Sequence, residues 1–399
     1  MINGNQFLLR CLKAYIVGDR PPREMVAQAI ESPRGIEVSD RALTAVLDYL
    51  ISSWGFQTQL PDSQKEQLRK YHHYVAANNA VFLNELNLFL EEAARENIRV
   101  LLLKGLALIK MGVYPEKGLR LLSDMDVFIK KDDISRVETM LDRAGWKIDN
   151  HESELHLSHH LPIRISPHGF PLEVHFALSR MSLNIDEDRV WKRVAPIRET
   201  PAALIPSLED TLFALSLNVS LHHPDRVLPL YLKFVVDFAF MWKYAGGRLD
   251  WEYLADAVER SGANAPFWNA VVVAARLIEP PGLSETLTRF DVESKVDGDF
   301  VSMAASRILE GRWTGDLSWL VALAAEETSP MKRLYRTLQV VFPPRSFMAE
   351  AYPRWNRFPL IYLAYFVRLF KVAWNFDWKN FIMAYRAGKA VRSVGARRD

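Results

Sequence analysis

Apolar residues recur at helical spacing in the first quarter of the chain. Between Gln64 and Asn97, residues Phe82, Leu86, Phe89, Leu90 and Ala93 share one face, with Glu85, Asn87, Glu91 and Glu92 between them. That spacing predicts an amphipathic helix packed on a core, and residues 1–97 read as helical throughout. The period changes at Ile98. Arg99–Leu103 is a short apolar run that stops at Lys104-Gly105, a buried strand entering a turn. Leu106–Met111 restarts as a short helix and ends near Tyr114-Pro115, and Ser123–Ile129 reads as a second strand. Asp132 and Asp133 open an amphipathic helix over Ile134–Ala144, closed by Gly145. Trp146–Ile148, Leu161–Ile165 and Leu172–Ala177 are three further strands, the last two joined as a hairpin by the turn Ser166–Gly169.

From Ile185 onward the pattern is helical again. Ser207 with Asp210 three residues later forms a variant capping box. Helices over Tyr231–Tyr244 and Trp251–Ser261 are split by Gly246-Gly247, and Pro343, Pro344, Pro353 and Pro359 punctuate the approach to the C-terminal segment. The expected class is α+β, with a small mixed-sheet core at residues 98–180. An N-terminal helical region (1–97), a larger helical C-terminal domain (181–340) and a helical tail (341–399) flank it.

Composition changes this picture at one place. The 399 residues are 49% hydrophobic and 25% charged, a globular mix that excludes a disordered chain. The net charge of +2 hides a division. Met331–Asp399 holds 14 Lys+Arg against 3 Asp+Glu, a balance of +11, and 15 of the 45 aromatic residues. The remainder carries −9, with 36 basic against 45 acidic residues. Three readings fit the tail: helices packed on the acidic body, a membrane surface or acidic partner engaged through residues 354–398, and nucleic acid, for which no binding module is readable. Tyr362, Tyr365, Phe366, Phe370, Trp374 and Trp378 with Arg368, Lys371 and Lys379 suit an interfacial helix. The longest strongly apolar stretch, Phe358–Val367, falls short of the ~20 residues a spanning helix needs. With Cys11 as the single cysteine and no signal-peptide pattern in Met1–Arg20, a cytoplasmic protein is expected, with peripheral membrane attachment open.

The chemistry concentrates in the sheet. Asp124 and Asp126 lie two apart on a predicted strand, so both carboxylates face one side. Side-by-side carboxylates repel unless a cation neutralises them. Glu173 faces away from its apolar neighbours Leu172 and Val174. If its strand lies beside the first, three carboxylates converge, a cluster suited to Mg²⁺ (or Mn²⁺) and to phosphoryl or nucleotidyl transfer. Upstream, Gly105 permits close approach of a phosphate, the following helix presents free amides, and Lys104 and Arg120 supply charge. Six of the ten histidines lie between His151 and His175, in spacings that match no zinc motif. His160 and His175 are candidates to flank the cleft and contact phosphate or acceptor.

These residues resemble a known family. Leu103–Ala107, Tyr114-Pro115, Arg120, Ser123–Asp126, Asp132 or Asp133, Leu141, Gly145 and Glu173–His175 look like the minimal nucleotidyltransferases of the DNA polymerase β superfamily. The closest likeness is to its mostly uncharacterised bacterial members with a Lys-Gly turn. Ser207–Asp210, His222, Asp237 and Asp250-Trp251 look like the helical half of that branch. The resemblance implies a magnesium-dependent enzyme that moves a nucleoside monophosphate from an NTP, ATP being the expected donor, to a hydroxyl of a small molecule, sugar, peptide or protein. Asp124 and Asp126 would bind metal, and Glu173 would complete the cluster and help deprotonate the acceptor. Lys104 and Gly105 would hold the phosphates with Arg120 and Ser123. The common Gly-Ser turn is here Lys-Gly, leaving the serine's role to Lys104 or Ser123, and the common third Asp is Glu173. A non-catalytic nucleotide-binding or scaffold protein and a phosphotransferase are the alternatives.

Overall fold

The computed structural model describes residues 2–31, 36–149, 159–179, 183–198, 200–222, 227–311, 331, 348 and 360–374. Helices α1 (Gly4–Val17), α2 (Arg23–Ile30) and α3 (Thr44–Ser53) precede α4 (Asp62–Arg95), a helix of 34 residues. Pro61 opens α4 with Asp62 in its first turn, and Asn97, at φ +53°, turns the chain away. The core follows: β1 (Val100–Leu102), α5 (Lys104–Met111), β2 (Met125–Phe128), α6 (Ile134–Arg143), β3 (Lys147–Ile148), β4 (Arg164–Ile165) and β5 (Pro171–His175). The order matches the sequence reading, although the strands are shorter, and Asp124 stands one residue before β2.

The region after Ile185 differs from the expected all-helical reading. Past α7 (Glu187–Lys192), β6 (Ala195–Ile197) and β7 (Thr200–Ile205) form an antiparallel hairpin. It completes a seven-stranded sheet of order β3-β4-β5-β2-β1-β7-β6. The sheet therefore extends beyond residue 180. Pro196, Pro201 and alanine-rich Thr200–Ile205 lack the β-branched alternation that announces a strand, and the pairing of β7 beside buried β1 supplies what propensity does not.

Helices α8 (Leu208–Leu217), α9 (Val227–Ala245), α10 (Trp251–Ser261), α11 (Asn264–Ile278), α12 (Leu283–Arg289) and α13 (Gly298–Glu310) follow. Ser207 caps α8 as expected, accepting from Asp210 N at 3.1 Å and donating to its carboxylate at 2.7 Å. A π-helical turn, Asn218–His222, continues from α8. Of the tail, α14 (Leu360–Trp374) is described; Ile361 and Ala364 are buried, while Phe366 and Phe370 are more than 70% exposed. The rest of the tail reading, and His151, His156 and His223, fall outside the described residues. No helix among the described residues is long and apolar enough to cross a membrane.

Two main cores result. One face of the sheet, carrying Val100, Leu102, Met125, Val127, Leu172 and Val174, packs under Phe82–Ala93 of α4, Leu106 of α5 and Val137–Leu141 of α6. The larger core joins α1–α3 to α8–α13, and Leu108 of α5 and Tyr114 of the following loop reach into it. Each buried Leu, Val or Phe contributes about 1.5–3 kcal/mol. Helix α5, apolar on both sides, locks the sheet to the helical body at the point where the chain turns from Lys104 to Gly105.

Candidate active site

The opposite face of the sheet has a thin cover. Leu101, Leu103, Phe128 and Leu204 pack with Val190 in a small cluster, and the polar residues gather beside it. Strands β2 and β5 run parallel in a register that pairs Asp126 with Glu173 and Phe128 with His175. Leu172 and Val174 fill the core, so Glu173 and His175 stand together on the other face. Asp126 and Glu173, 47 residues apart in sequence, thus become neighbours.

Lys104 meets them from the start of α5. Its Nζ lies 2.6 Å from Asp126 Oδ1 and 3.8 Å from Glu173 Oε2. It does so from a left-handed backbone, φ +47°, costly for any residue with a Cβ. At Gly105 a Cβ would stand 3.2 Å from Leu122 Cδ2 and 3.4 Å from Arg120 Nη1, so the close approach of the two segments favours glycine. His175 Nε2 donates to Asp126 Oδ1 at 3.0 Å and lies 3.5 Å from Glu173 Oε2. Ser123 donates to Asp124 Oδ1 at 3.2 Å. Asp126, Glu173 and His175 offer three ligand atoms within 4.8 Å of one another.

The electrostatics separate the carboxylates. Burial by itself would raise Asp126, but the Lys104 ammonium and the His175 hydrogen bond hold it well below the usual range. Glu173 is also lowered: burial and the Asp126 charge oppose the shift, and His175 and Lys104 outweigh them. Asp124, by contrast, is pushed up to about 6 by burial and then by Asp126, with Lys104 and Lys233 only partly compensating. Lys104 and His175 both face Asp126 and Glu173, whereas Asp124 has no cation in ion-pair contact among the described residues.

A cavity of ≈170 Å³ opens beside Asp124. One wall is Lys104–Leu106, Arg120–Asp124 and Asp126; the other is the helical body, through Leu215, Asn218 and Val219 near the end of α8 and Lys233, Phe234 and Asp237 of α9. Arg120 borders it but spends its fork elsewhere. Its Nε and Nη2 donate to Asp237 at 2.7 and 2.9 Å, its Nη1 donates to Leu121 O at 3.0 Å, and Tyr114 adds an O–H to Asp237 at 2.5 Å. Asn79 of α4, fully buried, donates to the carbonyls of Lys117 and Arg120 and accepts from Leu122 N, which fixes the loop ahead of β2.

The structure thus brings together Lys104, Gly105, Ser123, Asp124, Asp126, Glu173 and His175. Arg120 stands at the edge, tied to Asp237. His160 forms a backbone bridge to His175, its ring 5.5 Å from the His175 ring, and Nδ1 sits 2.6 Å from Leu161 O. It is a buried neighbour of His175 and does not line the cavity. The sequence reading missed Asn79 and Lys233 and left Asp237 without a role. A signal for two of these existed: Lys233 and Asp237 are charged residues, one turn apart, in the almost wholly apolar helix Tyr231–Trp242. Charges placed there must be paired or put to use.

A mixed sheet with carboxylates on adjacent strands and a lysine-glycine turn at a helix start has the organisation of a nucleotidyltransferase core. The model of an uncharacterised nucleotidyltransferase family matches residues 38–279, more than half the chain. The protein belongs to that family. The match covers the whole sheet, α4 and the helices through α11. No curated protein and no solved structure matches the chain.

Proposed function

We propose that this protein transfers a nucleoside monophosphate from an NTP, with ATP the expected donor, to a hydroxyl of a small molecule, sugar or protein side chain. One observation carries the reading: the parallel β2–β5 register sets Asp126 beside Glu173, with Lys104 on both and Asp124 at the adjoining cavity. Clustered carboxylates repel one another unless a cation neutralises them, and a divalent cation does so. The oxygen-rich donor set suits Mg²⁺ or Mn²⁺, and Asp124, Asp126 and Glu173 would hold it. When bound, such an ion neutralises phosphate charge and acidifies the acceptor hydroxyl.

The chain's own residues do the rest. Lys104 exchanges its carboxylate partners for phosphate oxygens as the triphosphate enters, and Gly105 leaves room beside the helix start. Glu173, kept ionised by the His175 hydrogen bond, accepts the hydroxyl proton while the acceptor oxygen forms its bond to the α-phosphorus. The bond from that phosphorus to the bridging oxygen breaks, and pyrophosphate leaves with the electron pair. His175 keeps the two carboxylates in register through its hydrogen bond and contact.

The test is incubation with α-³²P-labelled ATP, GTP, CTP and UTP, Mg²⁺ and a host extract. Label should move to an acceptor, and Asp126→Asn should reduce transfer to background while remaining folded. Full activity in that variant removes the carboxylate cluster from the chemistry. Label arriving from γ-³²P-ATP instead makes the protein a phosphotransferase. The Lys104–Asp126 ion pair also suits a nucleotide-binding protein without catalysis, which would bind NTP in this assay and label nothing.

A further inference from the structure

Lys233 lies in the second turn of α9, among buried Tyr231, Leu232, Phe234, Val235 and Val236, and lines the cavity. The other two cations on that cavity are committed, Lys104 to Asp126 and Glu173, Arg120 to Asp237. Lys233 makes neither a hydrogen bond nor an ion pair among the described residues. Arg120 repels it, and Asp237, Asp124 and Asp40 attract it only through space. A half-buried ammonium on an apolar helix, with no counter-charge in contact, costs stability. A residue of that kind pointing to a cavity is better explained by an anion that the cavity receives.

We propose that Lys233 is a second phosphate-binding cation, gripping the triphosphate from the helical wall of the cavity opposite Lys104. The proposal rests on the nucleotidyl-transfer reading and deepens it, because the phosphate chain then bridges the sheet and the helical body. Lys104 and Gly105 approach from the sheet side and Lys233 from α9, and the Asp124 carboxylate feels both lysine charges. Burial and the neighbouring Arg120 charge push Lys233 down to about 8, so the ammonium is retained at neutral pH and is poorly compensated until an anion arrives. A purely structural lysine would show the reverse, an ion pair with a neighbouring carboxylate.

The experiment is calorimetric titration of the full chain with ATP, ADP and AMP in the presence of Mg²⁺, on the native protein, Lys233→Met and Lys233→Arg, alongside thermal denaturation without nucleotide. Lys233→Met should bind ATP roughly 10- to 100-fold more weakly, the range for a lost hydrogen bond to a charged group. Its AMP affinity should be unchanged, its thermal midpoint should be equal to or above that of the native protein, and Lys233→Arg should retain most of the ATP affinity. If Lys233→Met does not fold, Lys233→Gln serves the same comparison. Native ATP affinity in the neutral variant, or an equal loss for ATP and AMP, overturns the assignment and leaves nucleotidyl transfer standing. A native protein that binds no nucleoside triphosphate overturns both.

Discussion

Asp124 illustrates how much a single side chain reports about its surroundings. Its folded pKa of about 6, raised by burial and then by Asp126, exceeds the ~3.9 of an unfolded aspartate. Between those values the folded chain binds more protons than the unfolded one, so stability falls as pH rises through about 4 to 6. Asp124→Asn removes that penalty and keeps an oxygen for the Ser123 hydroxyl. The metal-free variant should melt about 2–4 °C above the native protein at pH 7, with the gap closing near pH 4. Millimolar Mg²⁺ should shrink or reverse the gap by stabilising only the native site; denaturation scans with chelator and with Mg²⁺ check both. The Asp-x-Asp spacing and the Lys-Gly turn were legible because each is local. The Arg120 fork was not: its partner, Asp237, is 117 residues away, and a guanidinium before a carboxylate strand reads equally well as a phosphate ligand.

Between elements, the tie of Arg120 to Asp237 joins the loop ahead of β2 to α9. Both side chains are almost wholly buried, so removing one strands the other. Asp237→Ala should therefore cost about 3–5 kcal/mol, measured as a lowered urea midpoint with an unchanged slope. Elements with strong periodicity, α4 and α6 above all, were readable in the sequence, as was the β4–β5 hairpin with its Ser166–Gly169 turn. Register was not. Nothing local states that β5 lies parallel beside β2, yet that register creates the candidate site. The β6–β7 hairpin was missed for the opposite reason, its local composition arguing against strands that long-range pairing with β1 imposes.

For the whole molecule, the parallel pairing of β7 with β1 ties the sheet to chain far downstream. Residues 195–205 complete a sheet otherwise built from residues 100–175, and they lead directly into α8, whose end borders the cavity. A chain ended at residue 180 exposes the edge of β1 and removes the helical wall. That fragment should be insoluble or aggregated, and a monodisperse fragment by size-exclusion chromatography would show that the hairpin is dispensable. The charge division falls differently from the fold: the −9 body holds the carboxylate cluster, while the +11 segment begins after the family match ends. The same strand order sets a clock on biosynthesis. At ~5–20 residues per second, β1 leaves the ribosome about 5–20 s before β7. During that interval one flank of β1 is bare, and a holdase that covers apolar strands has its natural window of action there.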